Sequence, residues 1–279
     1  MRLMKRMRDI LVVKCGGNAA VRSQAVCADV AAVHRGGRPV ILAHGGSADI
    51  DGLAARLGVP SRRLVAPDGV STRYTDARTL EVVQLALAGS VKPRLLAALR
   101  ACGADAVGLT GLDAGLLVAA RRTAHRAVVD GRRVVVRDDH SGRITAVNGD
   151  LVATLLASGL LPVVSPPAVA EDGRVVNTDA DRAAAAVAGA VGAGTLLLLT
   201  GAGGVLADRH DERSVLPVCR VPREGAPPVV TGGMGIKLVA AREALLSGVR
   251  RVLIADGRRP RPVQEALAGS CTEVLLEEE

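Results

Sequence analysis

Phenylalanine and tryptophan are absent from these 279 residues, and Tyr74 is the single aromatic side chain. One ring cannot form a platform on which successive bases stack, so recognition of single strands in that way is excluded. The core must be packed by Leu, Val and Ala. Lysine is almost as scarce. Of 36 Lys plus Arg, the lysines are Lys5, Lys14, Lys92 and Lys237 alone. A GC-rich coding bias accounts for this composition and makes each retained lysine informative, because arginine does not replace a compact ammonium reaching a phosphate. Lys5 sits in a basic N-terminal stretch. Lys92 precedes Pro93 near a helix start and reads as a surface position. Lys14 and Lys237 sit beside glycines.

Other absences narrow the class further. The five cysteines (Cys15, Cys27, Cys102, Cys219, Cys271) are odd in number and lack CxxC spacing, which fits reduced thiols in a cytosol. No secretory core follows the basic N-terminus, and the apolar runs are too short to span a membrane, so a cytoplasmic protein with no membrane partner is expected. The five histidines are dispersed and no metal-ligand spacing occurs. Asp138-Asp139-His140 comes nearest to a cluster and reads as a solvated turn. The net charge of +8 is spread without a dominant run, which favours a small anion or an acidic protein over nucleic acid.

Short apolar runs alternate with helical patterns. Ile10–Val13, Pro39–Ala43, Ala106–Leu109, Leu161–Val164, Thr195–Leu199, Arg251–Ala255 and Thr272–Leu276 read as strands by length and composition. Thr75-Asp76 is an N-cap pair for a helix to Ala88. From Leu116 to Val147 short β runs meet at tight turns, with Asp130-Gly131 a hairpin signal, and Asp172-Gly173 marks another. This alternation predicts a three-layer αβα fold of the α/β class, with a mainly parallel central sheet and a β-hairpin excursion. No linker or repeat divides the chain, so 1–279 reads as one domain.

Ligands in such sheets bind beyond the carboxyl ends of strands, and the glycines cluster there. The first strand ends in Lys14-Cys15-Gly16-Gly17 and the second in His44-Gly45-Gly46-Ser47. Glycines after strands let backbone N–H groups approach an anion, and the following helix adds its positive end. Neither loop is a Walker A motif or a GxGxxG fingerprint. Asn177-Thr178-Asp179-Ala180-Asp181 runs into an alanine-rich helix with more polar residues than a cap requires. Thr231-Gly232-Gly233-Met234-Gly235-Ile236-Lys237 delivers a lysine into the first turn of a helix, where a cation is unfavourable unless an anion is present.

These four pieces together resemble the amino acid kinase family over nearly the whole chain. The resemblance is closest to the acetylglutamate kinase branch, especially the kinases of aminoadipate or glutamate linked to a LysW-type amino-group carrier protein. Ser47 matches their HGGS, where acetylglutamate kinases usually have HGGG. Ser71-Thr72-Arg73-Tyr74-Thr75-Asp76, Gly108-Leu109-Thr110-Gly111-Leu112-Asp113, Asp139-His140-Ser141-Gly142, Pro166-Pro167-Ala168 and Ala255-Asp256-Gly257-Arg258 match as well. The loop before Lys237 departs from the carrier-linked pattern, lacking two positive charges, and is more like that of the acetylglutamate kinases.

The resemblance implies ATP-dependent phosphorylation of a carboxylate, with Mg²⁺ bridging the β- and γ-phosphates. It implies that Lys14 and Lys237 contact the transferring phosphoryl and that Asp181 holds both. Gly16, Gly17, Thr200 and Gly201 fall on the nucleotide side. Gly45, Gly46, Ser47, Arg73 and Asn177 fall on the substrate side, with Arg73 pairing the α-carboxylate and Asn177 the amide that masks the amine. It implies an N-lobe of about residues 1–178 for the substrate and carrier, a C-lobe of about 179–279 for the nucleotide, and a homodimer. Three functions stay open: a kinase of an acidic LysW-type carrier's aminoadipate or glutamate, an acetylglutamate kinase in arginine synthesis, and a non-catalytic amino-acid-binding domain.

Overall fold

The structure is a computed structural model and describes residues 9–65, 71–121, 124–129, 132–225 and 233–278. The Asp130-Gly131 turn, the Thr231-Gly232 pair and Lys5 lie outside the described residues. The first half runs β1 (Leu11–Cys15), α1 (Ser23–Arg35), β2 (Val40–His44), α2 (Ser47–Arg56), β3 (Arg63–Val65), β4 (Ser71–Arg73), α3 (Ala77–Ala101), β5 (Ala106–Gly111), β6 (Leu117–Arg121), β7 (His125–Val129), β8 (Arg132–Val136) and β9 (Gly142–Val147). The second runs α4 (Gly149–Ala157), β10 (Leu161–Ala170), β11 (Val175–Val176), α5 (Ala180–Ala190), β12 (Thr195–Thr200), β13 (Val218–Val221), α6 (Gly233–Leu246), β14 (Arg251–Asp256), α7 (Pro262–Leu267) and β15 (Thr272–Leu276).

Among the described residues the main sheet has eleven strands, nine along the path β13-β15-β14-β12-β1-β2-β10-β6-β9, with β5 and β11 also on β10. β1 is buried at every position and is flanked by β12 and β2, both parallel to it. Its side chains alternate between two cores, as a strand's period of two requires. Val12 packs with α5 and α6 residues such as Ala184 and Ala241. Leu11 and Val13 pack with residues of α1, α3 and α7 such as Val30, Leu99 and Val263. Helices thus cover both faces, giving the three layers expected of continuous apolar parallel strands. The chain leaves β1 toward β2 on one side and returns through β12 on the other, so the sheet's switch point lies at β1.

The excursion is larger than the expected hairpin. β6 and β9 stay antiparallel in the main sheet, while β7 and β8 join β3 and β4 in a separate four-stranded sheet. β3 and β4 span three residues each, too short to show alternation in sequence.

α3 differs most from expectation. Asp76 caps it, accepting the Thr79 N–H at 2.8 Å, but it passes Ala88 and reaches Ala101. Pro93 has no N–H, and its ring would crowd the carbonyl four residues back. The helix widens into a π turn over Leu85–Val91, in which the Lys92 N–H donates to the Leu87 oxygen five residues back. α3 is long and apolar enough to cross a membrane by length and composition alone. Val82, Val83, Leu87, Leu95 and Leu99 instead face the core. Lys92 is 6% exposed, so its reading as a surface residue is corrected.

Candidate functional site

The carboxyl ends of β1, β2 and β12 open on a cleft of ≈ 610 Å³, and all twelve residues expected at the site line it. They are Lys14, Gly16, Gly17, Gly45, Gly46, Ser47, Arg73, Asn177, Asp181, Thr200, Gly201 and Lys237.

At its centre one carboxylate serves two ammonium groups. Lys14 Nζ lies 2.8 Å from Asp181 Oδ1, and Lys237 Nζ donates to Asp181 Oδ2 at 2.8 Å. The three come from β1, α5 and α6, and each is under 10% exposed. Burial works to raise the Asp181 carboxyl, but Lys14 and Lys237 together outweigh it and hold it at about 2. Burial also opposes the charge on Lys14, yet Asp181, with Asp179 behind it, keeps its ammonium above the ordinary value. Lys237 goes the other way: burial and the neighbouring Lys14 charge lower it against the pull of Asp181. A third partner of negative charge would relieve the unshared cation, so the cleft is built for an anion. Lys237 is the fifth described residue of α6.

Asp179 supplies the cap that aims Asp181. Its Oδ1 accepts from the Asp181 and Arg182 N–H groups at 2.9 and 3.0 Å. The two glycine loops are fastened together. The Gly17 carbonyl accepts from Ser47 Oγ at 2.8 Å and from the Ala48 N–H at 3.0 Å. A Cβ on Gly17 would sit 2.6 Å from both the Gly46 and Ser47 nitrogens, so only glycine permits this approach. Ser47 therefore ties one loop to the other through its hydroxyl. His44, 1% exposed, is pulled down to about 4, chiefly by burial, and stays neutral with Nδ1 3.1 Å from the Gly45 oxygen.

At the cleft wall, Arg73 Nη1 donates to Asp51 Oδ1 at 2.7 Å and to Ser61 Oγ at 2.9 Å, which fixes its guanidinium there. Asn177 Nδ2 donates to Thr75 Oγ1 at 3.2 Å. The Thr75 N–H in turn donates to Asp139 Oδ1 at 2.9 Å, and Ser141 Oγ donates to Asp139 Oδ2. Asp139 is 2% exposed, which corrects the reading of a solvated turn: it is the buried hub under Asn177. Sequence reasoning also left out Arg63, Arg143 and Arg182, which line the cleft. Their signal was position, since Arg182 directly follows Asp181 and Arg143 follows Ser141-Gly142.

Among the described residues no group of three or more His, Cys, Asp or Glu side chains could hold a metal ion. The chemistry this arrangement offers is alignment and charge neutralisation of anions.

A family model for the amino acid kinase family matches residues 9–256. A LysW-aminoadipate kinase from Thermus thermophilus is 39% identical over 268 residues, covering 95% of this chain and 100% of that protein. An acetylglutamate kinase from Methanopyrus kandleri is 41% identical over 219 residues, covering 77% of this chain and 85% of that protein. The carbamate kinase of Giardia superposes with a TM-score of 0.64 at 15% identity, over 96% of this chain and 99% of that one, a likeness of fold.

Proposed function

Because the chain belongs to the amino acid kinase family, we propose that it transfers the γ-phosphoryl group of ATP to a carboxylate on an acidic LysW-type carrier protein. The acceptor is the side chain of a carrier-linked aminoadipate or glutamate, and the product is an acyl phosphate. The observation that carries this reading is the single Asp181 carboxylate shared by two buried lysines.

A carboxylate acceptor is ionised at neutral pH, so the reaction needs no general base. It needs two anions brought into line and charge neutralised in the transition state. Lys14 and Lys237 neutralise the transferring phosphoryl oxygens, and Asp181 fixes the spacing of the two ammonium groups. Gly16 and Gly17 present backbone N–H groups to the ATP phosphates, with Thr200 and Gly201 beside the nucleotide. Mg²⁺, arriving with the nucleotide rather than held by a protein cage, would supply charge neutralisation to the phosphates. Gly45 and Gly46 offer N–H groups to the acceptor carboxylate. Arg73 pairs the α-carboxylate, and the Asn177 amide oxygen accepts from the N–H of the masked amine.

The division into a substrate lobe up to about residue 178 and a nucleotide lobe from about 179 follows the same assignment. A homodimer is proposed too. It is supported by β5, whose one described strand partner is β10, and by Leu85 of α3, 51% exposed. The thiols, with no disulfide among the described residues, suit a cytoplasmic location.

A second reading, acetylglutamate kinase, is favoured by the Methanopyrus relative and by the Gly232–Lys237 loop, which lacks two positive charges of the carrier-linked pattern. Trapping acyl phosphate with hydroxylamine separates the two. Turnover on carrier-linked aminoadipate or glutamate, with little on free acetylglutamate, is expected. Robust turnover on free acetylglutamate sinks the carrier-linked assignment.

A further inference from the structure

Lys237 reaches the site from α6, while Asp181 and Lys14 belong to α5 and the sheet. The alignment of the triad therefore depends on how α6 sits along α5. The buried faces of these helices are made mostly of alanine. Alongside Asp181, α5 buries Ala183, Ala184, Ala185 and Ala188 with Val187, and alongside Lys237, α6 buries Gly235, Ala240, Ala241 and Ala244 with Leu238. Helix packing fixes register by seating ridges of side chains in grooves, and methyl groups make shallow ridges. The backbones come close at the far end, where a Cβ on Gly189 would lie 2.4 Å from Ser247 Oγ. Such a surface lets two helices approach closely but resists sliding poorly.

Besides the Lys237–Asp181 contact of the triad itself, a second polar contact among the described residues crosses this interface. Arg182, the residue after Asp181, donates from Nε to Glu243 Oε2 at 2.9 Å and from Nη2 to Glu243 Oε1. A two-point guanidinium–carboxylate fork fixes direction as well as distance. Both side chains are half-buried, and Glu243 lies six residues beyond Lys237 on α6.

We propose that the Arg182–Glu243 pair is the pin that sets α6 in register on α5, so that both residues position Lys237 without touching the reacting atoms. The proposal rests on the kinase reading for its effect on rate, but the pin itself can be tested without substrate. The four lysines of the chain make native lysine labelling a clean probe. Trinitrobenzenesulfonate is reacted with the native full-length protein, and the rate at each lysine is read by mass spectrometry. In the wild type, Lys237 is slow, like Lys14 and Lys92. In Glu243→Gln and Arg182→Gln, Lys237 labelling rises several-fold while Lys92 stays slow, which reports a local shift of α6 with the fold intact. The reciprocal variant R182E/E243R restores the slow rate. In turnover, the single variants lose about 10- to 10²-fold in kcat with the ATP KM little changed. The R182Q/E243Q double variant is no worse than either single one, as members of one contact behave.

Unchanged Lys237 labelling in both single variants overturns the proposal. So does a silent Glu243→Gln beside an impaired Arg182→Gln, because that pattern makes Arg182 a direct substrate contact. If the wild type shows no kinase activity, the functional reading fails, and the labelling pattern still decides the pin.

Discussion

Lys92→Met should stabilise this protein. Lys92 is 6% exposed, and its stem lies over Gly108, where a Cβ would meet Lys92 Cδ at 2.8 Å. Burial lowers its ammonium from 10.5 to about 8, against a weaker pull from Asp113. Asp113 is itself engaged by the Thr110 N–H and hydroxyl. His44 is the other titratable group that senses the Lys92 charge. The sign follows from linkage. The unfolded chain holds this proton up to about pH 10.5 and the folded one only to about 8, so folding stability rises with pH between those values. Below pH 8 the full cost of the buried charge is present, and 2.5 pKa units correspond to roughly 3 kcal/mol. Methionine keeps the length of the stem and removes the charge. Urea unfolding at pH 7 should show the variant more stable by roughly 3 kcal/mol, with the advantage shrinking as the pH approaches 10. Melting temperature should rise on the order of 5–10 °C at pH 7 for a chain of this size. A variant less stable than wild type at pH 7, or a difference that does not change with pH, would refute the reasoning and mean that the amine has a strong partner.

Three further outcomes follow from the site. Gly17→Ala places a methyl against the Gly46 and Ser47 nitrogens at 2.6 Å and should force the two loops apart; kcat/KM should fall by about 10²-fold or more, measured by coupled ADP release, and a loss under threefold would contradict the packing. Asp181 contributes stability that is fully present above its unfolded value of 3.8 and is lost as the pH falls toward 2, so the wild type should lose about 2 kcal/mol across that window and Asp181→Asn should lose less; parallel acid profiles of the two proteins would count against the ion pairs. If an acidic carrier presents the substrate to this +8 chain, kcat/KM on the carrier-linked acid should drop steeply between low and physiological salt, and a flat response would remove the electrostatic argument.

What the sequence disclosed, and what it hid, follows from the range over which each feature acts. β1, β2, β10, β12 and β14 were visible because a strand buried on both faces must be continuously apolar, a local signal. Lys14 and Lys237 stood out by composition. Their convergence on Asp181, 56 positions before Lys237 in the chain, was legible through family resemblance alone, because a three-element contact leaves no spacing to read. Lys92 was misread because Gly89 and Pro93 mimic a helix boundary, and a π turn that absorbs a proline has no sequence mark of its own. Asp139 was misread for a related reason: its carboxylate accepts from the Thr75 N–H, 64 positions away in sequence. β3 and β4 were missed because a three-residue strand is defined by its partners, not by its composition.

The central claim is that Lys14 and Lys237, held by one carboxylate, neutralise the phosphoryl group in transfer. Hydroxamate formation from ATP and the carrier-linked acid, compared in wild type and Lys237→Met at saturating substrate, tests it most directly. The account predicts a loss of about 10²–10³-fold in kcat for the methionine variant, the usual consequence of removing one charge from a phosphoryl-transfer site. A variant that retains kcat within threefold of wild type would contradict it.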